Sequence, residues 1–334
     1  MSGVKSIIKK VLGETGLVLG WTAARAGGAA PPACFQSAEE ADRAVFDATC
    51  VHNLAVYLPR LKDRTVGIVA KACDARSIVQ LIQERAAERG RIKVIGVKGC
   101  GGTVDVRGIW RRFGYGAEIK RNTDSLIING FEADRAEFLN SKCLDCRDAE
   151  PVIYDELFDA GGRIVADGGA STVELPGAQP ASESTGKTVR VSAGRERETL
   201  RAEFTKMTPQ ERRTFWREQY SRCIRCYACR EACPMCFCRD VCIMQTTDPH
   251  WTGGSADAHD AEMMQMIRVS HLAGRCTGCG ECERACPAGI PLMLLMEEQN
   301  RAVEELFGYQ AGADPEARPP LLTFSIEGES WSEE

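Results

Sequence analysis

The sequence has few of the features that mark a membrane protein, a nucleic-acid-binding protein or a histidine-based metal protein. Only four of its 334 residues are histidines, which disfavours a His-rich zinc site, and the net charge of −5 lacks the basic excess of a nucleic-acid-binding domain. Charges and glycines interrupt the N-terminal apolar stretch, and neither a long apolar run nor a small-residue cleavage site follows it. We therefore expect a soluble, cytoplasmic protein with no membrane span and no nucleic-acid partner.

Cysteine, in contrast, is abundant: the chain contains 17, an odd number. The length suggests about two domains and is ample for a buried core, so the fold does not need disulfides to compensate for a small size. Cytosolic thiols are kept reduced. Clustered cysteines in that compartment are therefore more typical of metal ligands or redox groups than of disulfides. The composition therefore predicts metal or redox chemistry.

The N-terminal half predicts an α/β domain with a small, mostly parallel sheet. An apolar run at residues 65–70 leads into a helical pattern at 77–89, and a second apolar run follows at 92–97. Continuous apolar strands separated by a helix indicate a βαβ unit. A further strand is expected at 125–130, and a helix is expected to follow it at 132–142.

Composition divides the chain into four parts. Residues 166–200 are rich in Gly, Ser, Ala and Pro and cannot bury much surface, which predicts a linker. This linker would join the α/β domain at 1–165 to a second domain at 201–310. Residues 311–334 are expected to form a C-terminal tail.

The second domain carries one cysteine motif twice. Residues 208–211 have the spacing of a capping box with proline at the first helical position, which predicts a helix leading to the first copy. Three cysteines at every third residue, with a fourth before a proline, form the ligand pattern of bacterial two-cluster ferredoxins, in which the fourth cysteine binds the other cluster. The pattern predicts an α-helical, dicluster ferredoxin-type domain with one [4Fe–4S] centre on Cys223, Cys226, Cys229 and Cys286 and another on Cys276, Cys279, Cys282 and Cys233.

A pair of zinc sites is the alternative interpretation, because C-x2-C is also a zinc-ligand spacing. The duplicated register with its trailing prolines favours iron–sulfur clusters, and small residues beside Cys279 let backbone N–H groups approach cluster sulfurs. Between the copies, residues 262–275 predict a helix whose Met and Ile side chains pack in the core. His271 in that helix is more typical of a packed or surface residue than of a ligand.

A second cysteine set is expected in the first domain. Cys73 and Cys100 each follow the carboxyl end of a predicted parallel strand, which is the edge where ligands bind in open α/β sheets. A loop supplies the C-x2-C pair Cys143 and Cys146. If the two strands are neighbours, four thiols converge at this edge. From spacing alone, ordinary buried thiols at Cys73 and Cys100 are an equally good interpretation.

The chain resembles a known family at these motifs. The resemblance in the N-terminal half is carried by CVHNLAVYL, VAKACDARSIVQLIQE, VIGVKGCGGT and KCLDCRDAEPVIYDEL. These segments resemble the beta-subunit family of deazaflavin (coenzyme F-420)-dependent hydrogenases and formate dehydrogenases. SRCIRCYACREACPMCFC and HLAGRCTGCGECERACPAGIP look like the dicluster ferredoxin half of iron–sulfur subunits in anaerobic formate dehydrogenase, hydrogenase and heterodisulfide-reductase-linked complexes. The resemblance covers most of the chain outside the linker and the two ends.

This family resemblance implies a third [4Fe–4S] cluster, held by Cys73, Cys100, Cys143 and Cys146. Family members that bind FAD and the deazaflavin open with a cysteine-rich, Gly-Gly helix start, and the N-terminal residues here contain no such segment. FAD is therefore the doubtful cofactor. The glycines at positions 99, 101 and 102 would either cradle a phosphate or surround a cluster ligand.

An electron-transfer subunit is the leading functional hypothesis. Such a subunit relays electrons between a catalytic subunit, such as a formate dehydrogenase or hydrogenase, and a second redox module, such as a heterodisulfide-reductase-like complex or ferredoxin. No substrate pocket with a general base and no motif for molybdopterin or nickel is evident, which favours a relay over a site of substrate chemistry. One alternative is a flavin-containing oxidoreductase subunit that reacts directly with a deazaflavin, NAD(P) or ferredoxin. A cysteine-rich zinc or regulatory protein is another.

Five cysteines remain outside the three expected clusters: Cys34, Cys50, Cys236, Cys238 and Cys242. The first two are expected to be isolated thiols. The last three follow the expected ligand Cys233 closely, and they would shield a cluster, replace a ligand or bind another metal. The sequence leaves these three roles open.

Overall fold

The computed structural model of the chain describes residues 2–24, 27–121, 125–144, 146, 150–159, 163–172, 200–238, 241–245, 253 and 257–323. Its helices are α1 (Ser2–Thr15), α2 (Ala38–Ala41), α3 (Ala72–Gln83), α4 (Val106–Phe113), α5 (Ser141–Leu144), α6 (200–206), α7 (Pro209–Ser221), α8 (Ala228–Glu231), α9 (Ala258–His271), α10 (Glu281–Ala285) and α11 (Leu292–Phe307). Its strands are β1 (Val18–Thr22), β2 (Pro32–Phe35), β3 (Ala44–Val45), β4 (Val66–Ala70), β5 (Ile92–Lys98), β6 (Ile119–Arg121), β7 (Ser125–Ile128), β8 (Phe131–Asp134), β9 (Ile153–Asp159) and β10 (Ile164–Thr172).

A seven-stranded sheet is the framework of the N-terminal part. The strand order is β10-β9-β5-β4-β1-β2, and β3 pairs with β1. The four central strands run parallel, whereas β2, β3 and β10 pair antiparallel at the edges. Every residue of β4 is buried, as expected for a parallel strand covered on both faces. The centre of the sheet is therefore parallel, as the apolar runs predict, and its edges make it mixed.

The predicted βαβ unit is confirmed by β4, α3 and β5. The helix α3 begins at Ala72, five residues before the apolar pattern starts, because its first turn is held by a capping interaction. The backbone N–H of Lys71 donates to the Asp74 carboxylate at 2.9 Å. The early start places Cys73 in the first turn of the helix, directly after the end of β4.

The single helix expected at 132–142 is wrong. Residues 132–134 belong to a β-hairpin, a short 3-10 helix follows at Arg135–Phe138, and α5 begins only at Ser141. β6, β7 and β8 make a separate three-stranded antiparallel sheet. Asn129 and Gly130 join β7 to β8 with φ values of 50° and 83°. Two left-handed residues of this type form the turn that matches the twist of a hairpin, and Asn-Gly is its strongest sequence signal. The turn chemistry therefore outweighs the helical pattern.

The C-terminal part consists of α6 to α11, and the described residues of 200–323 contain no strand. The predicted capping box is confirmed: Thr208 Oγ1 accepts from the N–H of Glu211 at 3.3 Å, and Glu211 Oε2 accepts from the N–H of Thr208 at 2.7 Å. α7 packs against α9 through a face that contains buried Trp216 and Tyr220. No helix in the described ranges is long and apolar enough to cross a bilayer.

The predicted linker falls mostly outside the described residues. Its first residues, 166–172, form the end of strand β10 and remain hydrogen-bonded to β9. Residues 173–199 lie outside the described part of the chain.

One hydrophobic core joins the N-terminal sheet to the C-terminal helices. The chain after α11 reinforces this connection by returning to α3. The hydroxyl of Tyr309 donates to Gln80 Oε1 at 2.8 Å, and Arg76 Nη2 donates to the carbonyl of Ala311 at 3.0 Å. Gln83 Nε2 donates to the carbonyl of Ala317 at 2.7 Å. The expected C-terminal tail therefore begins inside an interface.

Gly312 provides a test of this interface. Its φ is +66°, and a Cβ added there would lie 2.0 Å from the backbone oxygen of Arg76, so Gly312→Ala imposes both a left-handed alanine and a backbone clash. We expect it to lower the free energy of unfolding by about 2 to 4 kcal/mol in chemical denaturation of the full chain. Gly308→Ala is the matched control, because Gly308 has a φ of +59° and open space around it. Equal losses in the two variants would contradict the close approach of Gly312 to α3.

Candidate metal centres

The carboxyl ends of β4 and β5 open onto a cavity of about 570 Å³. The two strands are parallel neighbours, so the segments that follow them emerge at the same edge of the sheet. The cavity is lined by the four cysteines of the expected N-terminal set: Cys73, Cys100, Cys143 and Cys146. The structure therefore brings together four thiols that lie in three separate segments of the sequence.

Backbone donors approach the sulfurs in this cavity. The N–H of Thr103 donates to Cys143 Sγ at 3.3 Å, and the N–H of Gly102 acts to lower the pKa of the Cys100 thiol, which burial raises. Gly101 and Gly102 both have positive φ, which turns the chain tightly around the cysteine. Asn140 holds this loop in place by donating to Thr103 Oγ1 at 3.0 Å. The glycines thus serve to bring N–H groups to the sulfurs.

A second set of four thiols lies in the C-terminal part. One narrow cavity is lined by Cys223, Cys226, Cys229 and Cys286. The first three belong to the first copy of the motif, whereas Cys286 ends α10 in the second copy. Gln265 Nε2 donates to Cys229 Sγ at 3.7 Å from the neighbouring helix α9. The two copies therefore share this cavity, in the exchanged arrangement that the spacing predicts.

The third set combines the second copy with one thiol of the first. Cys233 interacts electrostatically with each of the three remaining cysteines of the second copy: Cys276, Cys279 and Cys282. Burial raises the pKa of the Cys279 thiol to about 12, so leaving water is costly for the thiolate form unless charges or donors compensate it. Cys233 of the first copy is therefore a neighbour of the three remaining cysteines of the second copy.

At five of these cysteines, hydrogen bonding by the backbone N–H two residues further along the chain acts to lower the thiol pKa, against the effect of burial or neighbouring thiols: Cys100, Cys223, Cys233, Cys276 and Cys279. Positive φ values accompany several of these turns, at Gly278 and Gly280 in the second copy and at Arg225 and Tyr227 in the first. Hydrogen bonds of this kind stabilise negative charge on sulfur. In the second copy the residues with positive φ are glycines, which adopt this conformation without strain. In the first copy Arg225 and Tyr227 adopt it instead.

A buried ion pair connects the N-terminal cavity to the C-terminal motif. Lys142 Nζ lies 2.8 Å from Glu281 Oε1, and Arg284 Nη2 lies 2.6 Å from Glu281 Oε2. Burial acts to raise the pKa of Glu281, but the two cations outweigh it and lower the pKa to about 2. Lys142 also interacts with Cys73, Cys143 and Cys279, so its charge lies between two thiol sets. Glu281 therefore fixes a cation at the junction of the two parts of the chain.

A second buried ion pair lies on the wall of the N-terminal cavity. Lys71 Nζ is 2.9 Å from Asp74 Oδ2, donates to the carbonyl of His52 at 2.9 Å, and lies 4.1 Å from the ring centroid of Trp21. Both side chains of the pair are essentially inaccessible to water. The ion pair therefore fixes the position of the Lys71 charge beside Cys73.

Two of the three thiol sets line cavities, and none of the sets converges on a single point within the described residues. Within the described ranges, no three His, Cys, Asp or Glu side chains are close enough together to hold one metal ion. A single zinc ion would draw each thiolate to about 2.3 Å from the same centre. A cubane of four irons and four sulfides instead takes each thiolate at a different corner.

The five remaining cysteines have distinct environments. Cys34 is exposed on β2, and Cys50 is buried and accepts from the N–H of Asp47 at 3.4 Å. Cys236 shares a hydrogen bond with the thiol of Cys233, and these two line a polar cavity of about 280 Å³ together with Cys238. Cys242 is hydrogen-bonded to Arg230. Cys236 is thus a direct neighbour of an expected ligand, which keeps both shielding and substitution open.

The sequence analysis missed the polar residues on helix α9. The prediction that its Met and Ile residues pack in the core is right for Met264 but wrong for Met263 and Met266, which are exposed. His271 is exposed. The buried face of α9 instead includes Gln265 and Arg268, each 1 % exposed. The sequence signal for this face was the spacing of Gln265 and Arg268, which lie three positions apart on the same side of the helix as Ala261 and Met264.

The Lys142–Glu281 pair generates a stability prediction. Lys142→Met removes one of the two cations that compensate a buried carboxylate, so we expect the free energy of unfolding to fall by about 3 kcal/mol. Lys9→Met is the control, because Lys9 forms a comparable 2.7 Å pair with Asp42 in which both side chains are well exposed, and it should cost less than about 1 kcal/mol. Chemical denaturation measures both. Similar values for the two variants would show that Lys142 does not act as a buried partner.

Comparison with known proteins agrees with this geometry. Residues 219–290, which contain both copies of the motif, match the family described as the 4Fe-4S dicluster domain. F420-dependent formate dehydrogenase subunit beta of Methanocaldococcus jannaschii is 28% identical over 312 aligned residues, covering 80% of this chain and 78% of the relative. F420-dependent formate dehydrogenase 1 subunit beta of Methanococcus maripaludis is 25% identical over 304 residues, covering 78% and 76%. The chain is therefore a relative of the beta subunits of F420-dependent formate dehydrogenases and carries a 4Fe–4S dicluster domain in its C-terminal part.

Proposed function

We propose that the chain is an iron–sulfur electron-transfer subunit that binds three [4Fe–4S] clusters. It relays electrons between a catalytic subunit of the formate dehydrogenase or hydrogenase type and a second redox module, such as a heterodisulfide-reductase-like complex or ferredoxin. The observation that carries this proposal is the gathering of twelve cysteines into three neighbouring sets of four. The relatives are named as subunits of formate dehydrogenases, which makes that enzyme the first candidate for the catalytic partner.

Cys223, Cys226, Cys229 and Cys286 would hold one cluster of the dicluster domain, and Cys233, Cys276, Cys279 and Cys282 would hold the other. The family match at 219–290 supports both centres, and the cavity that Cys286 shares with Cys223, Cys226 and Cys229 supports the exchange of the fourth cysteine between copies. When bound, the clusters supply one-electron donor and acceptor groups inside the chain. The protein contributes thiolate ligands, backbone N–H donors and exclusion of water.

The N-terminal cavity would hold the third cluster on Cys73, Cys100, Cys143 and Cys146. Its volume of about 570 Å³ and its four converging thiols fit such a group. Lys71 and Lys142, whose side chains are 2 % and 6 % exposed, lie beside Cys73 and would offset part of the negative charge that four thiolates bring. The N–H donors of Gly102 and Thr103 would act in the same direction.

The three thiol sets form a continuous series through the protein. Cys279 of the dicluster domain lines the N-terminal cavity as well as its own site, and the buried Arg268 interacts with thiols of both C-terminal sets. At the two ends of the series, Cys146 and Cys226 are exposed. Each end is therefore accessible to a partner protein, whereas the middle is covered. This arrangement suits a relay with one partner at each end.

A flavin-containing oxidoreductase subunit is the second candidate function. It is favoured by the size of the N-terminal cavity, which lies in the range of small-molecule sites, and by the glycine-rich loop on its wall. A flavin at this position would have to share the cavity with four thiols. Acid denaturation of the purified full chain releases any bound flavin, and a stoichiometric amount in the supernatant would favour this candidate over the third cluster.

Metal analysis tests the relay as a whole. The full chain, purified without oxygen, is expected to contain about twelve irons and an equal amount of acid-labile sulfide, because each cubane contributes four of each. Zinc without sulfide would instead support the cysteine-rich zinc protein and remove the basis of the proposal. About eight irons would leave the dicluster domain and exclude the third centre.

Substitution of Cys279 tests the dicluster domain. Cys279→Ser removes a ligand of one centre, so we expect loss or alteration of one reduced-state EPR signal. In the intact complex, electron transfer to the second redox module should be blocked, while reduction of artificial dyes by the catalytic partner continues. Cys34→Ser is the matched control, because Cys34 is exposed on β2 and outside the three sets. An unchanged spectrum and iron content in Cys279→Ser would contradict the assignment.

Substitution of Cys143 tests the N-terminal centre independently. Cys143→Ser removes one of four thiols from the cavity, and we expect about four fewer irons per chain with the dicluster EPR signals retained. Full iron content would return Cys73 and Cys100 to the role of structural thiols. The folded state is monitored by circular dichroism, so that loss of iron is separated from loss of fold.

A further inference from the structure

Arg268 is a buried cation without a carboxylate partner. It lies on α9, the helix between the two copies of the cysteine motif, and is only 1 % exposed. Within the part of the chain that the structure describes, its Nε and Nη1 atoms have no hydrogen-bond partner. None of the ion pairs found in the described residues includes it. A guanidinium held in this state is costly unless negative charge lies nearby.

The neighbours of Arg268 are thiols. Its guanidinium interacts electrostatically with Cys229 of the first C-terminal set, with Cys282 and Cys233 of the second set, and with Cys236 beside Cys233. Gln265, one turn earlier on the same helix face, donates to Cys229 Sγ at 3.7 Å. Helix α9 therefore inserts its polar face between the two sets, and the Arg268 charge faces both of them.

The other buried cations near these thiols have partners. Arg275 interacts with Cys236 and Cys233, but its Nε lies 2.8 Å from Glu84 Oε1. Lys142 is paired with Glu281. A carboxylate at this distance offsets much of the field that a cation exerts on its surroundings. Among the described residues, Arg268 is thus the buried cation near these thiols whose charge no carboxylate offsets.

Neutral thiols would leave this charge uncompensated, whereas thiolates on a cluster would compensate it. Four thiolate ligands give a [4Fe–4S] centre a net negative charge, and each electron taken up adds to it. A fixed cation in a low-dielectric interior stabilises the more negative, reduced state and so raises the reduction potential. The free N–H groups of Arg268 would also donate to sulfur, which acts in the same direction.

We propose that Arg268 is the shared counter-charge of the two C-terminal clusters and sets both of their reduction potentials. This inference rests on the proposed function, since it requires that both clusters are present. Removal of this one side chain would therefore change the reduction potentials of two clusters, whereas removal of a purely structural arginine would change neither. The N-terminal centre, whose neighbouring cations are Lys71 and Lys142, should not respond to Arg268.

An EPR-monitored redox titration of the full, cluster-containing chain tests the proposal. Arg268→Met removes the charge but keeps an unbranched side chain. We expect the equilibrium constant for reduction of both C-terminal clusters to fall by at least about tenfold, which for a one-electron couple is about 59 mV. The N-terminal cluster should keep its wild-type midpoint. Arg268→Lys retains the charge and should stay within about threefold of the wild type.

Arg301→Met is the matched control, because it removes a mostly exposed arginine from α11 in the same part of the chain. It should leave all midpoints unchanged, since solvent screens an exposed charge. A full iron content with unchanged midpoints in Arg268→Met would overturn the proposal, and so would a shift confined to one of the two clusters. A shift of equal size in Arg301→Met would also count against it.

Iron and sulfide content separates this inference from the proposed function. A wild-type chain without iron and sulfide removes the proposed function itself, whereas a loaded wild-type chain with unresponsive midpoints removes only the role of Arg268. If Arg268→Met loses the clusters, the iron content of Arg268→Lys decides whether the charge of this side chain is what the clusters require. Normal iron content in the lysine variant would show that the positive charge is needed to hold the two clusters together, and loss of iron in that variant too would overturn a role based on charge.

Discussion

Compensation of buried negative charge on sulfur is the constraint that the rest of the structure depends on. Thiolates in a protein interior are costly unless N–H donors or cations replace the water they lose. The chain provides both kinds of compensation in the same places. Turns with positive φ place backbone N–H groups beside four of the twelve thiols, and Lys71, Lys142 and Arg268 bring buried charge to their surroundings. Local backbone geometry and long-range packing therefore serve one electrostatic requirement.

The same requirement explains why the two parts of the chain are so closely joined. Lys142 belongs to the α/β part and Glu281 to the dicluster part, and their buried contact positions a cation between two thiol sets. The segment after α11 returns to α3 and adds hydrogen bonds from Arg76 and Gln83. A relay that crosses from one part to the other needs a fixed separation between its centres. A continuous core and a buried ion pair provide that rigidity, which a flexible linker would not.

Prediction from the sequence succeeds where local chemistry decides the conformation. The capping box at Thr208 begins α7, and the apolar runs give the βαβ unit at the centre of the sheet. It fails where a local signal is overlooked or where packing assigns the faces. Asn129-Gly130 makes a hairpin in place of a helix, because a turn of two left-handed residues fixes the register of the strands that flank it. On α9, packing against the neighbouring helices decides that Arg268 is buried and Met266 exposed.

The sequence by itself determined that one cysteine motif occurs twice, because that motif is a short spacing within each segment, and it predicted the ligand types and the exchange of the fourth cysteine between the two copies. It also placed Cys73 and Cys100 after two strands, but only the tertiary structure decided that these strands are adjacent and that Cys143 and Cys146 join them at one cavity. Strand order and the docking of distant segments depend on the packing of the whole core, which spacing does not encode. The same is true of Lys142 and Arg268, whose roles arise from neighbours that are far away in the sequence.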